Sequence, residues 1–195
     1  MVSFEPVPGT DHSPLVAALR AGTPDAFERL YAAYRTRLFG FLSRLCRDRE
    51  AAEDLFQNVW LKVARHAGAL REDSDLDAWL FTIARNEHRS WRRCQMLDLS
   101  RVLAFGREVA AWPEAHGPGS NAELELIERA LGSLGEADRE VILLVAVEGL
   151  SAPRAAQVLD ISHAALRQRL SRARARLDTA MQTLGAEPAA CPQAR

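Results

Sequence analysis

Apolar residues recur three and four positions apart along most of the chain, the pattern of helices that bury one face. Ser13-Pro14 opens a short helix that runs to about Gly22, and Thr23-Pro24-Asp25 opens the next. The stripe Phe27, Leu30, Tyr31, Tyr34, Leu38, Phe41, Leu42 and Leu45 makes that second helix long and amphipathic. Asp48 is placed to cap a third, with Ala52, Leu55, Phe56, Val59, Trp60 and Val63 on its inner face and an end near Gly68. After the acidic stretch Arg71–Asp75, the residues Leu76, Trp79, Leu80, Ile83, Ala84 and Trp91 mark a fourth helix ending at Arg92-Arg93. No segment alternates with period two for long, so no strand is predicted.

The pattern fails between Trp112 and Asn121, where Pro113 and Gly117-Pro118-Gly119-Ser120 stand. The expected organisation is a helical module over 1–98, a flexible linker over 99–121, a second helical module over 122–184 and a disordered tail over 185–195. The second module carries Leu124, Ile127 and Leu131 on one helix and Val141, Ile142, Leu144 and Val145 on another, closed by Gly149. Next come a Ser151 cap, a short helix to Leu159, a turn at Asp160-Ile161-Ser162 and a long helix from His163. Two helices joined by so short a turn are the geometry that puts the second into a major groove. Leu166, Leu170, Ala173 and Leu177 would face the core, and Gln168, Ser171 and Arg172, flanked by Arg167 and Arg174, would face outward. From Ile161 to Leu177 there are five arginines and no acid. Arginine can read guanine bidentately and glutamine can read adenine, while either can hold phosphate.

The charge balance changes the picture. Net charge is −1, too low for a free-standing tight DNA binder. Cys46, Cys94 and Cys191 lie far apart without histidine at ligand spacing, which argues against a disulfide framework or a metal site. Cys46 and Cys94 read as small buried hydrophobes. The five histidines form no catalytic motif with acids, and no phosphate-binding glycine loop occurs, so neither catalysis nor a cofactor is expected. No leader and no run long enough to span a bilayer is seen, which points to the cytoplasm without membrane insertion.

At these residues the chain resembles the sigma-70 family, in its extracytoplasmic-function (ECF) class. The second module is similar to sigma region 4 through Leu131–Leu134, Arg139–Leu144, Glu148–Ser151, Ile161-Ser162 and Arg167–Arg174. The first is similar to region 2 through Leu30-Tyr31, Arg37-Leu38, Ala52–Gln57 and Trp79–Asn86. The resemblance implies an all-α, non-enzymatic protein that joins the RNA polymerase core (its β and β′ subunits), recognises promoter DNA and initiates transcription, monomeric when free and controlled by an anti-sigma factor. It implies that Asp54, Gln57 and Trp60 lie on the helix that docks on the polymerase, although the spacing of Trp60 equally fits the core. It assigns Asp73, Ser74, Arg85, Asn86, Arg89, Arg92 and Arg93 to the downstream (−10) element as single strand. Trp91 fits either a base stack or the core. Ser162, Arg167, Gln168, Ser171, Arg172 and Arg174 are assigned to the upstream (−35) element as duplex. Arg154 departs from the family's frequent glutamate and forfeits a capping box; Ala164, Ala165 and Gly135 also depart from common choices. Two other readings remain open. One is an ordinary helix-turn-helix regulator that binds duplex DNA alone, and the other is a helical adaptor that contacts only proteins.

Overall fold

The computed structural model describes residues 13–102 and 122–186. Most of the expected linker and tail, with Cys191, lie outside them. Among the described residues every regular element is helical. The first module comprises α1 (Ser13–Arg20), α2 (Pro24–Cys46), α3 (Arg49–His66), a 3-10 turn over Ala67–Ala69 and α4 (Leu76–Val102). The second comprises α5 (Ala122–Ser133), α6 (Glu136–Ile142), a π turn over Leu143–Val147, α7 (Ala152–Leu159) and α8 (His163–Ala186).

Local chemistry sets most of the boundaries. The Asp48 carboxylate accepts from the Ala51 N–H at 3.1 Å, so this residue caps α3 as its position predicts. Thr23 stands before α2, but its hydroxyl donates to the Ala18 carbonyl at 3.1 Å and leaves Pro24 to start the helix. The fourth helix does not stop at Arg92-Arg93 but continues to Val102, because nothing between breaks it. Its start is capped by Asp75, which accepts from the Ala78 N–H at 3.0 Å. The α6 helix widens into the π turn before Gly149 (φ +69°), a left-handed position that favours glycine.

The α2, α3 and α4 helices pack on one another around Leu30, Leu38, Phe41, Leu42, Val59, Leu80 and Phe81, all essentially without solvent exposure. Full burial of each such side chain contributes about 1.5–3 kcal/mol. In the second module α5 and α6 pack on α8, and α7 packs on α8 as well. The α7 helix also lies along α4, so buried apolar residues from both modules join in one continuous cluster. Cys46 is half-buried and burial, with Asp48 nearby, pushes its thiol up to about 12. Cys94 is exposed, against the expectation of a buried hydrophobe, because α4 turns that position to solvent.

Candidate nucleic-acid interface

The turn between α7 and α8 has the chemistry that the sequence predicts, with one exception. Asp160 adopts the left-handed conformation (φ +53°), and its N–H closes α7 onto the Ala156 and Gln157 carbonyls. The Ser162 hydroxyl accepts from the Ala165 N–H at 3.2 Å and caps α8. Ser151 occupies the N-cap position of α7 but makes no side-chain capping bond; Pro153, in the first turn, has no N–H to offer. Leu166 and Ala173 are fully buried, while Leu170 and Leu177 pack half-buried against the core. That anchoring turns Ser162, Arg167, Gln168, Ser171, Arg172 and Arg174 to solvent, all exposed. Among the described residues Arg172 reaches only the Gln168 carbonyl, at 3.4 Å. The result is a guanidinium-rich face on a helix, with Asp178 at its C-terminal edge beside Arg174, which suits a polyanionic duplex.

In the first module the predicted residues separate. Asp54 and Gln57 are exposed on α3. Trp60 is not: it is 7% exposed and packs edge-on against Phe27, Tyr31 and Phe56. It therefore fills the core, and its assignment as a surface contact is corrected. Asp73 is exposed and paired with Arg71 at 3.1 Å; the Ser74 hydroxyl, half-buried, accepts from the Arg71 N–H at 2.8 Å and closes the loop on itself. Trp79 and Trp91 are half-buried against the core.

Along α4 the split is sharper. Asn86, Arg89 and Arg93 are exposed. Arg85 is 7% exposed and faces the second module, where it donates to the Val158 carbonyl at 3.2 Å and to the Glu140 carboxylate at 3.4 Å. In the described conformation Arg85 is thus closed to nucleic acid, which corrects its assignment to an open surface. Arg92, on the same stripe, pairs with Glu136 at 3.1 Å. Between them His88 is fully buried, and neither ring nitrogen has a hydrogen-bond partner among the described residues. Burial, opposed by Glu136 and reinforced by Arg92, Arg139 and Arg85, lowers its pKa to about 4. Positions 85, 88 and 92 have helical spacing, and that spacing is the one sign in the sequence of a second buried face on α4. His88, Glu136 and Glu140 also bring their ligating atoms within 4.8 Å, an association invisible in the sequence. Arg85 already holds Glu140 and Arg92 holds Glu136, so a cation would have to displace both guanidiniums.

Other arginines cross the same seam. Arg37 donates to Asp77 at 2.9 Å, to the Glu148 carboxylate at 3.1 Å and to the Glu148 carbonyl at 3.0 Å. Arg44 meets Glu128 at 2.8 Å, and Arg47 donates to the Gly132 carbonyl at 2.7 Å. Arg154 pairs with Asp75 and, at 3.5 Å, with Asp77. The residue that departs from the family pattern therefore has partners in the other module.

Fold and surface together define a two-module helical protein with a helix-turn-helix built for duplex DNA. Residues 30–96 match Sigma-70 region 2, and residues 124–177 match Sigma-70, region 4. The chain is similar to the RNA polymerase sigma factor CarQ of Myxococcus xanthus, with 36% identity over 78% of this chain and 87% of that protein. It is 30% identical to the ECF RNA polymerase sigma factor EcfG of Rhodopseudomonas palustris, over 77% of this chain and 82% of the relative. Among solved structures it resembles the sigma factor RpoE of Bartonella quintana in complex with the anti-sigma factor NepR (TM-score 0.68, 30% identity, 80% of this chain and 96% of that one). It also resembles CnrH in complex with the cytosolic domain of CnrY (TM-score 0.66, 27% identity, 89% and 99%). The chain belongs to the sigma-70 family, as an ECF RNA polymerase sigma factor. Among the described residues no helix is long and apolar enough to cross a membrane.

Proposed function

We propose that the two modules divide the promoter between them while α3 holds the polymerase. Ser162, Arg167, Gln168, Ser171, Arg172 and Arg174 read the −35 element in the major groove, with α8 as the recognition helix. Asp73 and Ser74 in the loop before α4, with Asn86, Arg89, Arg92 and Arg93 on it, engage the −10 element as single strand. Asp54 and Gln57 contact the polymerase core. The observation that carries this reading is the exposed, arginine-rich face of α8, which follows the Asp160 turn and the Ser162 cap.

The chain acts in the cytoplasm, as a monomer when free, and performs no chemical step of its own; the polymerase makes the bonds. The net charge of −1 fits a protein that engages DNA only when mounted on polymerase. The similarity to a sigma factor solved with its anti-sigma factor supports control by such a partner. Run-off transcription with purified core polymerase on a promoter library, alongside gel shifts with and without core, tests the proposal. Start-site selection that requires the chain is the expected result. Tight duplex binding without core, and no transcripts with it, would instead establish an ordinary regulator.

A further inference from the structure

Where α4 meets α6 and the end of α2, the side chains leave a cavity of about 230 Å³. Cys46 and Arg47 line it from the end of α2, His88 and Arg92 from α4, and Glu136 and Arg139 from α6. Three guanidiniums thus face one carboxylate. Glu140 lies close to His88, but Arg85 already takes its charge at 3.4 Å. Arg139 is fixed in the wall, because it donates to the Leu131 and Gly132 carbonyls at 2.9 Å and to the Leu134 carbonyl at 2.7 Å. The crowding of like charge is felt there: burial first, then Arg47, with Arg92 adding to it against Glu136, lowers the Arg139 pKa to about 10.

His88 supplies the second observation. The ring has no solvent exposure, and Glu136 Oε1 stands 3.6 Å from its Nδ1, beyond hydrogen-bond reach. A neutral imidazole carries one N–H in either tautomer, and a buried donor left unpaired is costly. The ring therefore offers a donor to an acceptor that enters the cavity.

We propose that this cavity binds one phosphate group, held by the Arg47, Arg92 and Arg139 guanidiniums and the His88 N–H. Three positive charges less one negative leave two in excess, which a phosphate dianion offsets. The volume is below the roughly 300–1,000 Å³ of pockets for drug-sized ligands, so it suits the phosphate group and not a whole nucleotide. A cation suits the cavity less. The Cys46 thiol, pushed up to about 12, stays protonated and supplies no thiolate ligand. Arg92 also belongs to the proposed −10 surface, but the phosphate site does not depend on that reading.

The test is isothermal titration calorimetry on the full chain with sodium phosphate, at neutral pH and constant ionic strength. No DNA or polymerase is present, so its outcome is separate from that of the promoter assays. Saturable one-to-one binding is the expected result. Arg47→Gln and Arg92→Gln remove exposed guanidiniums and should each weaken it roughly two- to fivefold, the scale of a solvent-exposed ion pair. His88→Phe removes the buried donor and should weaken it roughly tenfold or more. Glu136→Gln removes the cavity's one carboxylate and should tighten phosphate binding, a gain that general damage to the fold does not produce. Arg29→Gln, near the opposite end of α2, should bind like wild type. If His88→Phe fails to fold, the two exposed arginine variants keep the test decisive. Adenosine 5′-monophosphate, titrated alongside, separates the sources: weaker binding than phosphate assigns the site to the free ion, and tighter binding that the arginine variants lose assigns it to a phosphate ester. No saturable binding overturns the inference, as does phosphate affinity that the cavity variants leave unchanged or that Glu136→Gln weakens. Zinc chloride binding that Glu136→Gln abolishes, with none for phosphate, would make this a cation site instead.

Discussion

Removing Arg167 and Arg172 together by alanine substitution separates recognition from folding. Both side chains are exposed on α8; Arg172 touches only the Gln168 carbonyl, and Arg167 has no ion pair among the described residues. Folding stability should therefore change by less than about 0.5 kcal/mol, the ordinary cost of a surface substitution. The effect on DNA should be far larger. A bidentate base contact is worth about 1–3 kcal/mol, so losing even one costs roughly fivefold to 150-fold in upstream-element recognition. If both residues hold phosphate instead, the slope of log affinity against log salt should fall by about 2, near 0.9 for each phosphate no longer neutralised. The assay is run-off transcription by reconstituted polymerase on one promoter with an intact or scrambled −35 element, repeated across a salt series. Wild type should discriminate between the templates, and the double variant should not. If it transcribes both templates like wild type at every salt concentration, with an unchanged melting temperature, α8 does not read DNA and the adaptor reading revives.

Three further outcomes follow from the packing. Leu166→Ala, at a position with no solvent exposure in the α8 core stripe, should cost about 2–5 kcal/mol, read as a lower urea midpoint. Asp160→Gly should shift stability by no more than about 0.5 kcal/mol, since the relief of a left-handed non-glycine residue offsets the added unfolded-state entropy, whereas Asp160→Val should cost about 1–2 kcal/mol in the same titration. His88, with its pKa lowered from 6.5 to about 4, is neutral when folded, so the unfolded chain takes up the proton first as pH falls. Its contribution is complete above about pH 6.5 and is lost toward pH 4, by up to about 3 kcal/mol; buried Glu140 and Glu148, raised by burial, act in the opposite direction. His88→Leu should flatten the stability profile over that window, and an unchanged slope would show that the ring is not held neutral at the seam.

Helical periodicity, the Asp48 and Ser162 caps and the Asp160 turn were all legible in the sequence, because each depends on neighbours within about four residues. The outward face of α8 was legible for the same reason: once Leu166 and Ala173 are committed to the core, the helix repeat fixes where Arg167 and Arg172 point. Periodicity could not decide Trp60, since one stripe on α3 served equally for packing and for docking, and only the rings of Phe27, Tyr31 and Phe56 around it settled the matter. Nor could it find the seam. Arg85 and Glu140 are 55 positions apart, and Arg154 and Asp75 are 79 apart. Such pairs depend on how two finished modules meet, and charge on an exposed-looking helix face carries no mark of whether water, nucleic acid or another helix will neutralise it. Local spacing thus determined most of the helices and the outward face of α8, and tertiary contact alone decided which of the arginines remain exposed.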